Sequence, residues 1–167
     1  MHCLTRIIMS LEAGEIMLKD LISESSILVD VEASDWKDAI RQAAKPLVDA
    51  KKIEARYVDA IINSAITNGP YFVLAPQIAL PHARPEEGAL ADAIGIAVLS
   101  KHINFGSLNN DPVKYLFTLS ATSNDSHLDA LAHLAMLMED EAFLRLLDRH
   151  PQAEEVVNYI VNEGKER

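Results

Sequence analysis

Residues 93–99, Ala-Ile-Gly-Ile-Ala-Val-Leu, are apolar without a break. The run is shorter than an ordinary buried helix and far shorter than a membrane span. A strand that is apolar on both faces needs a layer of structure on each side. The segment therefore predicts the central strand of a sheet with helices packed above and below it. Residues 26–31 and 114–121 read as further strands. Tyr71–Leu74 and Ile78–Leu80 read as two short extended pieces separated by Pro76.

Helical signals alternate with these strands. Trp36, Ile40, Ala44 and Leu47 recur at helical spacing behind Ser34 or Asp35 as a cap. Pro46 is expected to kink or split that helix. Tyr57, Val58, Ile61, Ile62 and Ala65 form the stripe of a second helix, which Asn68-Gly69-Pro70 ends. From Asp125 to Met138 apolar residues occupy most of the circumference, so this helix is expected to be largely buried. Residues 140–149 and 152–162 read as two more helices. The expected fold class is α/β in a mixed α+β arrangement: a single domain whose central mixed sheet of about five strands carries helices on both faces. It should span residues 17–163. Residues 1–16 are expected to be an N-terminal extension, disordered or not native to the fold, because Met17-Leu18-Lys19-Asp20-Leu21 reads as a natural domain start.

Charge narrows the partners. The chain carries 15 Lys and Arg against 25 Asp and Glu, a formal net charge of −10. A phosphate backbone needs a basic footprint, so nucleic acid is excluded as the main partner. An anionic membrane surface is disfavoured for the same reason. A basic protein partner fits. With Cys3 as the one cysteine, no internal disulfide and no cysteine metal cluster can form, and a reducing cytoplasm is the expected compartment.

Chemistry concentrates in Leu74-Ala75-Pro76-Gln77-Ile78-Ala79-Leu80-Pro81-His82-Ala83-Arg84-Pro85-Glu86-Glu87-Gly88. A short strand delivers a histidine onto a loop stiffened by Pro81 and Pro85, and proline lowers the entropy of a loop that must hold a side chain in place. Neutral imidazole is a nucleophile near pH 7. Arg84 stands beside it as a clamp for an anion. From spacing alone, His82 is either such a nucleophile or a histidine satisfied by hydrogen bonds at a strand end. His127 is the second candidate, at the start of the helix that follows Ser123-Asn124-Asp125-Ser126; helix N-termini suit phosphate. Read alone, it reads first as a packed, hydrogen-bonded histidine on a helical face. His133 is expected to be solvated, His102 to lie in or beside a loop, and His150 to follow a helix end. Zinc-protease, serine-hydrolase and glycine-rich phosphate-loop motifs are absent, so no metal and no cofactor is expected.

Taken together, Leu74-Ala75-x-x-Ile78-Ala79-Leu80-Pro81-His82-Ala83 resembles the active-site signature of the mannitol/fructose-type (type 2) IIA domain of the bacterial phosphoenolpyruvate:sugar phosphotransferase system. His127 with Leu131 and Leu134 resembles that family's second histidine region. The resemblance covers roughly residues 17–162. Gly69-Pro70-Tyr71-Phe72-Val73-Leu74-Ala75-Pro76, followed by Pro81-His82-Ala83-Arg84-Pro85-Glu86-Glu87-Gly88, is most similar to the ascorbate-specific branch. Mannitol-type members carry an arginine shortly before the signature, where this chain has Ile66, and Thr67 replaces the usual acidic or amide residue.

The resemblance implies a phosphocarrier. His82 would accept a phosphoryl group from HPr and pass it to a cognate IIB protein, and the membrane IIC permease would move the sugar, ascorbate or a related pentitol or hexitol. It implies His127 as a hydrogen-bonding partner of the phosphoryl group and Arg84 as a neutralising cation. A homodimer is compatible with it. The alternative that it leaves open is a nitrogen-type regulatory IIA protein that senses phosphoryl flux and binds other proteins.

Overall fold

The protein is described by a computed structural model over residues 18–165; residues 1–17, where the expected N-terminal extension falls, lie outside the described residues. The strands are β1 (Ile27–Val31), β2 (Val73–Ala75), β3 (Ile78–Ala79), β4 (Ala93–Ile103) and β5 (Val113–Ser120). They form one mixed sheet in the order β1-β4-β5-β3-β2. β1 runs parallel to β4 and β3 parallel to β5, whereas β4–β5 and β2–β3 are antiparallel. The helices are α1 (Leu18–Leu21), α2 (Trp36–Asp49), α3 (Ala55–Asn68), α4 (Asn124–Met138), α5 (Glu141–Asp148) and α6 (Ala153–Lys165).

Alternation along the two central strands builds two cores. Ala93, Ala97 and Leu99 of β4 and Leu116 of β5 meet α2 and α3 through Ala39, Ala43, Leu47, Tyr57 and Ile61. Ile94, Ile96, Phe117 and Leu119 face the other way, onto Leu134, Phe143, Val156 and Ile160. The expected central strand with helices on both faces is therefore present. Alanines at 39, 43 and 44 bring α2 close to the sheet, since a small side chain lets a helix backbone approach.

Caps fix the helix starts. Asp35, not Ser34, accepts the Asp38 N–H at 2.8 Å to begin α2. Ser123 Oγ accepts the Ser126 N–H at 3.1 Å to begin α4. Gly69 closes α3 with φ +83°, and its N–H donates to Ala65 O at 2.9 Å.

Three expectations change. Pro46 does not split α2, which runs unbroken to Asp49; so near the C-terminal end, proline removes a single intrahelical bond. β4 continues past Leu99 to Ile103, which puts His102 on the strand end beside the loop. Most of the change concerns α4. Ala130, Leu134 and Leu137 are buried against the sheet, but Leu128 is 64% exposed, Met136 is 45% exposed, and Ala132 and Ala135 are also exposed. One side of the helix meets the core, and among the described residues no further layer covers the other.

Candidate functional site

The site forms where the sheet comes apart. β3 is only two residues long, and β2 beside it begins at Val73. Leu80 N–H still donates to Phe72 O at 2.8 Å, and Leu119 N–H to Pro81 O at 3.0 Å. Leu80 O is left to accept from a side chain. The His82 ring turns back to it, with Nδ1 2.7 Å from Leu80 O. A carbonyl only accepts, so Nδ1 carries the proton. In the neutral ring Nε2 is then the lone-pair nitrogen.

Two aromatic rings frame this imidazole. His127, in the first turns of α4, lies 5.3 Å away between ring centroids at 47°. Tyr71 meets His82 edge-on at 5.7 Å and 82°, and its hydroxyl donates to His82 O at 3.2 Å. Both histidines are half-buried. They line an open groove of about 900 Å³, together with Arg56, Asn63, Arg84 and Asn124. The groove runs between α3 and the N-terminal end of α4.

The electrostatics favour an anion at its centre. Burial, and secondarily the nearby His82, hold the His127 pKa below the ordinary imidazole value. His127 is therefore neutral near pH 7 and can donate one N–H without competing for a proton. Arg84 is exposed on the groove wall, and no ion pair among the described residues engages its guanidinium. Its own N–H donates to Glu87 Oε2 at 2.9 Å, which shapes the turn after His82. No group of three or more His, Cys, Asp or Glu among the described residues is placed to hold a metal ion.

The depressed His127 pKa has a consequence for stability. The unfolded chain binds the proton first, so acid favours unfolding. The expected result is a loss of stability as pH falls below about 6.5 toward the lower folded value. Urea midpoints measured across that range in the parent and in His127→Gln check it: the acid limb should be shallower in the variant, and parallel limbs would refute the contribution.

His82, His127 and Arg84, chosen from sequence, thus meet in one groove. Among the described residues, His102, His133 and His150 lie outside it. His133 is half-buried on α4 and not fully solvated. His150 pairs with Asp30, Nδ1 to Oδ1 at 2.7 Å. Sequence reasoning missed Arg56, which lines the groove from the first turn of α3, donates through Nη1 to Glu86 O at 3.0 Å and pairs through Nε with Glu54 Oε2 at 2.6 Å. It also missed Tyr71. Tyr71 stands within the stretch that carries the resemblance, but nothing in the sequence places its ring against His82, and Arg56 lies outside that stretch.

Comparison with known proteins follows the same outline. The family model for the "Phosphoenolpyruvate-dependent sugar phosphotransferase system, EIIA 2" matches residues 20–163. The chain is 42% identical to the mannitol-specific cryptic phosphotransferase enzyme IIA component of Escherichia coli (strain K12), over 78% of this chain and 88% of that protein. It is 39% identical to the ascorbate-specific PTS system EIIA component of Shigella boydii serotype 4, over 74% and 82%. The solution structure of the mannitol-specific cryptic IIA of Escherichia coli superposes with a TM-score of 0.77 at 39% identity, covering 87% of this chain and 98% of that one.

Proposed function

Since this chain belongs to the EIIA 2 family of the phosphoenolpyruvate-dependent sugar phosphotransferase system, we propose that His82 Nε2 is its phosphoryl acceptor, loaded by phospho-HPr and discharged to a cognate IIB protein. The observation that carries this reading is the 2.7 Å bond from Nδ1 to Leu80 O, which fixes the tautomer and leaves Nε2 nucleophilic at the groove.

The transfer balances without a metal. The Nε2 lone pair forms the new N–P bond as the donor's bond to phosphorus breaks, and the donor keeps that electron pair. Nδ1 retains its proton against Leu80 O. The phosphorylated ring is therefore positive, which keeps the phosphoryl group ready to leave for the next nucleophile. Charge on the phosphoryl oxygens is met by the His127 N–H, by Arg84 and Arg56, and by the positive end of α4. Arg56 supplies a cation that the sequence lacks at Ile66. Arriving negative charge would raise the His127 pKa, against the burial that chiefly lowers it.

The net charge of −10 suits encounter with a basic carrier, and the partners would be transient. The sugar would be ascorbate or a related pentitol or hexitol, moved by a separate IIC permease and not touched by this chain; the names of the relatives support that range. A cytoplasmic location follows from the same reading.

The test is incubation with phosphoenolpyruvate, enzyme I and HPr, then mapping of acid-labile phosphate on peptides. Label on His82 supports the assignment. No label, with another IIA domain labelled in parallel, overturns it. A His127→Ala variant should fold and still be labelled, but about 10²-fold more slowly, the usual cost of one transition-state donor. Rapid-quench kinetics check this, and an unchanged rate would return His127 to a packing role.

A further inference from the structure

Resting on the phosphocarrier reading, we infer that the Tyr57 hydroxyl is an inserted rung of the β-sheet that sets where the chain leaves β5 after His82, which makes Tyr57 a positioning residue for the nucleophile. β3 and β5 pair in parallel, with Ile78 opposite Tyr115 and Ala79 opposite Leu116. Along this ladder Gln77 O accepts from Tyr115 N–H and Pro81 O from Leu119 N–H, each at 3.0 Å. In a continuing parallel ladder the next rung would join Ala83 N–H directly to Leu119 O. The Tyr57 hydroxyl stands between them. It accepts from Ala83 N–H at 3.0 Å and donates to Leu119 O at 2.7 Å. Ala83 O, at 3.2 Å, is the longer alternative for the same proton.

One hydroxyl therefore parts the two backbones just beyond His82. The consequence reaches the nucleophile through a single peptide unit. His82 O and Ala83 N belong to the same plane. Tyr71 donates to its carbonyl at 3.2 Å, and Tyr57 accepts from its N–H. Two hydroxyls thus hold opposite edges of the peptide that follows His82. Few other bonds share the task, because β3 is two residues long and Pro81 has no N–H.

Tyr57 is suited to this. It is 1% exposed, rooted in the first turn of α3 and packed in the core between α2, α3 and the sheet. Its hydroxyl cannot shift without moving its ring. Burial pushes its pKa up to about 12, so it stays protonated wherever the protein works.

The experiment is Tyr57→Phe in the full chain. The expected result is a folded protein whose maximal rate of phosphoryl transfer from phospho-HPr drops about 10–100-fold, as a misplaced reacting group would cause. The half-saturating HPr concentration should change less than about twofold, because docking surfaces are intact. The Ala83 amide should lose hydrogen-exchange protection, and the His82 ring nitrogen resonances should move. An unchanged maximal rate with unchanged His82 resonances overturns the inference. Should the variant not fold, the parent protein decides: a slowly exchanging Tyr57 hydroxyl proton with a nuclear Overhauser contact to the Ala83 amide supports the inserted rung, and its absence overturns it. If the parent takes no phosphate from phospho-HPr, the phosphocarrier reading fails on its own, and the His82 resonances still report on Tyr57.

Discussion

A His82→Ala protein folds like its parent and takes no acid-labile phosphate from phospho-HPr. The two halves of this expectation have different causes. Fold survives because His82 is half-buried and its ring makes one hydrogen bond among the described residues, to Leu80 O. Losing a bond of that kind costs about 1 kcal/mol. Phosphorylation fails because no other group in the groove matches the nucleophile. His127 is the nearest imidazole, but it belongs to α4 and lacks the carbonyl that fixes the His82 tautomer. Ser64, Thr67 and Tyr71 have hydroxyls, but among the described residues none is hydrogen-bonded to a side chain that could act as its base. Thermal melting and label mapping on the same sample separate the two effects. A variant labelled as fully as the parent would sink the assignment of the nucleophile.

The second large effect belongs to the core. Phe117 lies at the middle of β5, is fully buried and pairs across the sheet with Ile96. Its ring meets Phe143 of α5 at 6.5 Å, joining the sheet to the helices above it. Phe117→Ala removes that link and leaves a cavity that close-packed neighbours cannot fill. The expected loss is about 3–5 kcal/mol, or roughly 6–20 °C in Tm. Urea unfolding should show a lower midpoint with the slope retained. Below its melting range the variant should still accept phosphate at His82, since the bond from His82 Nδ1 to Leu80 O does not involve Phe117. A loss under about 1 kcal/mol would mean that this layer closes around the gap.

The legible parts of the fold are those in which local chemistry has one solution. The unbroken apolar run 93–99 could only be a doubly covered strand, and it is the heart of β4. Its continuation through Ser100, Lys101 and His102 was not legible: those residues are polar and exposed, and they carry the strand across an irregularity in its pairing with β5 between Val98 and Ile103. α4 shows the opposite failure. Its composition allowed burial over most of its circumference, but burial depends on what lies opposite, and among the described residues no layer covers Leu128 and Ala132. Tyr57 counted as one more apolar position on the α3 stripe, which its ring is. The use made of its hydroxyl depends on Ala83 and Leu119, which approach it only in the folded sheet.

By itself, then, the sequence determined the element types, the double-sided core and the loop that carries His82, because hydrophobic periodicity, capping and proline stiffness act over a few neighbouring residues. It marked His127 and Arg84 as candidates without placing them. Only the tertiary structure brought His127 to 5.3 Å from His82, turned Nδ1 onto Leu80 O and set Tyr57 into the ladder. Those contacts join residues far apart along the chain, and no local propensity specifies them; they follow from the order in which the strands pair and from the sides on which the helices pack.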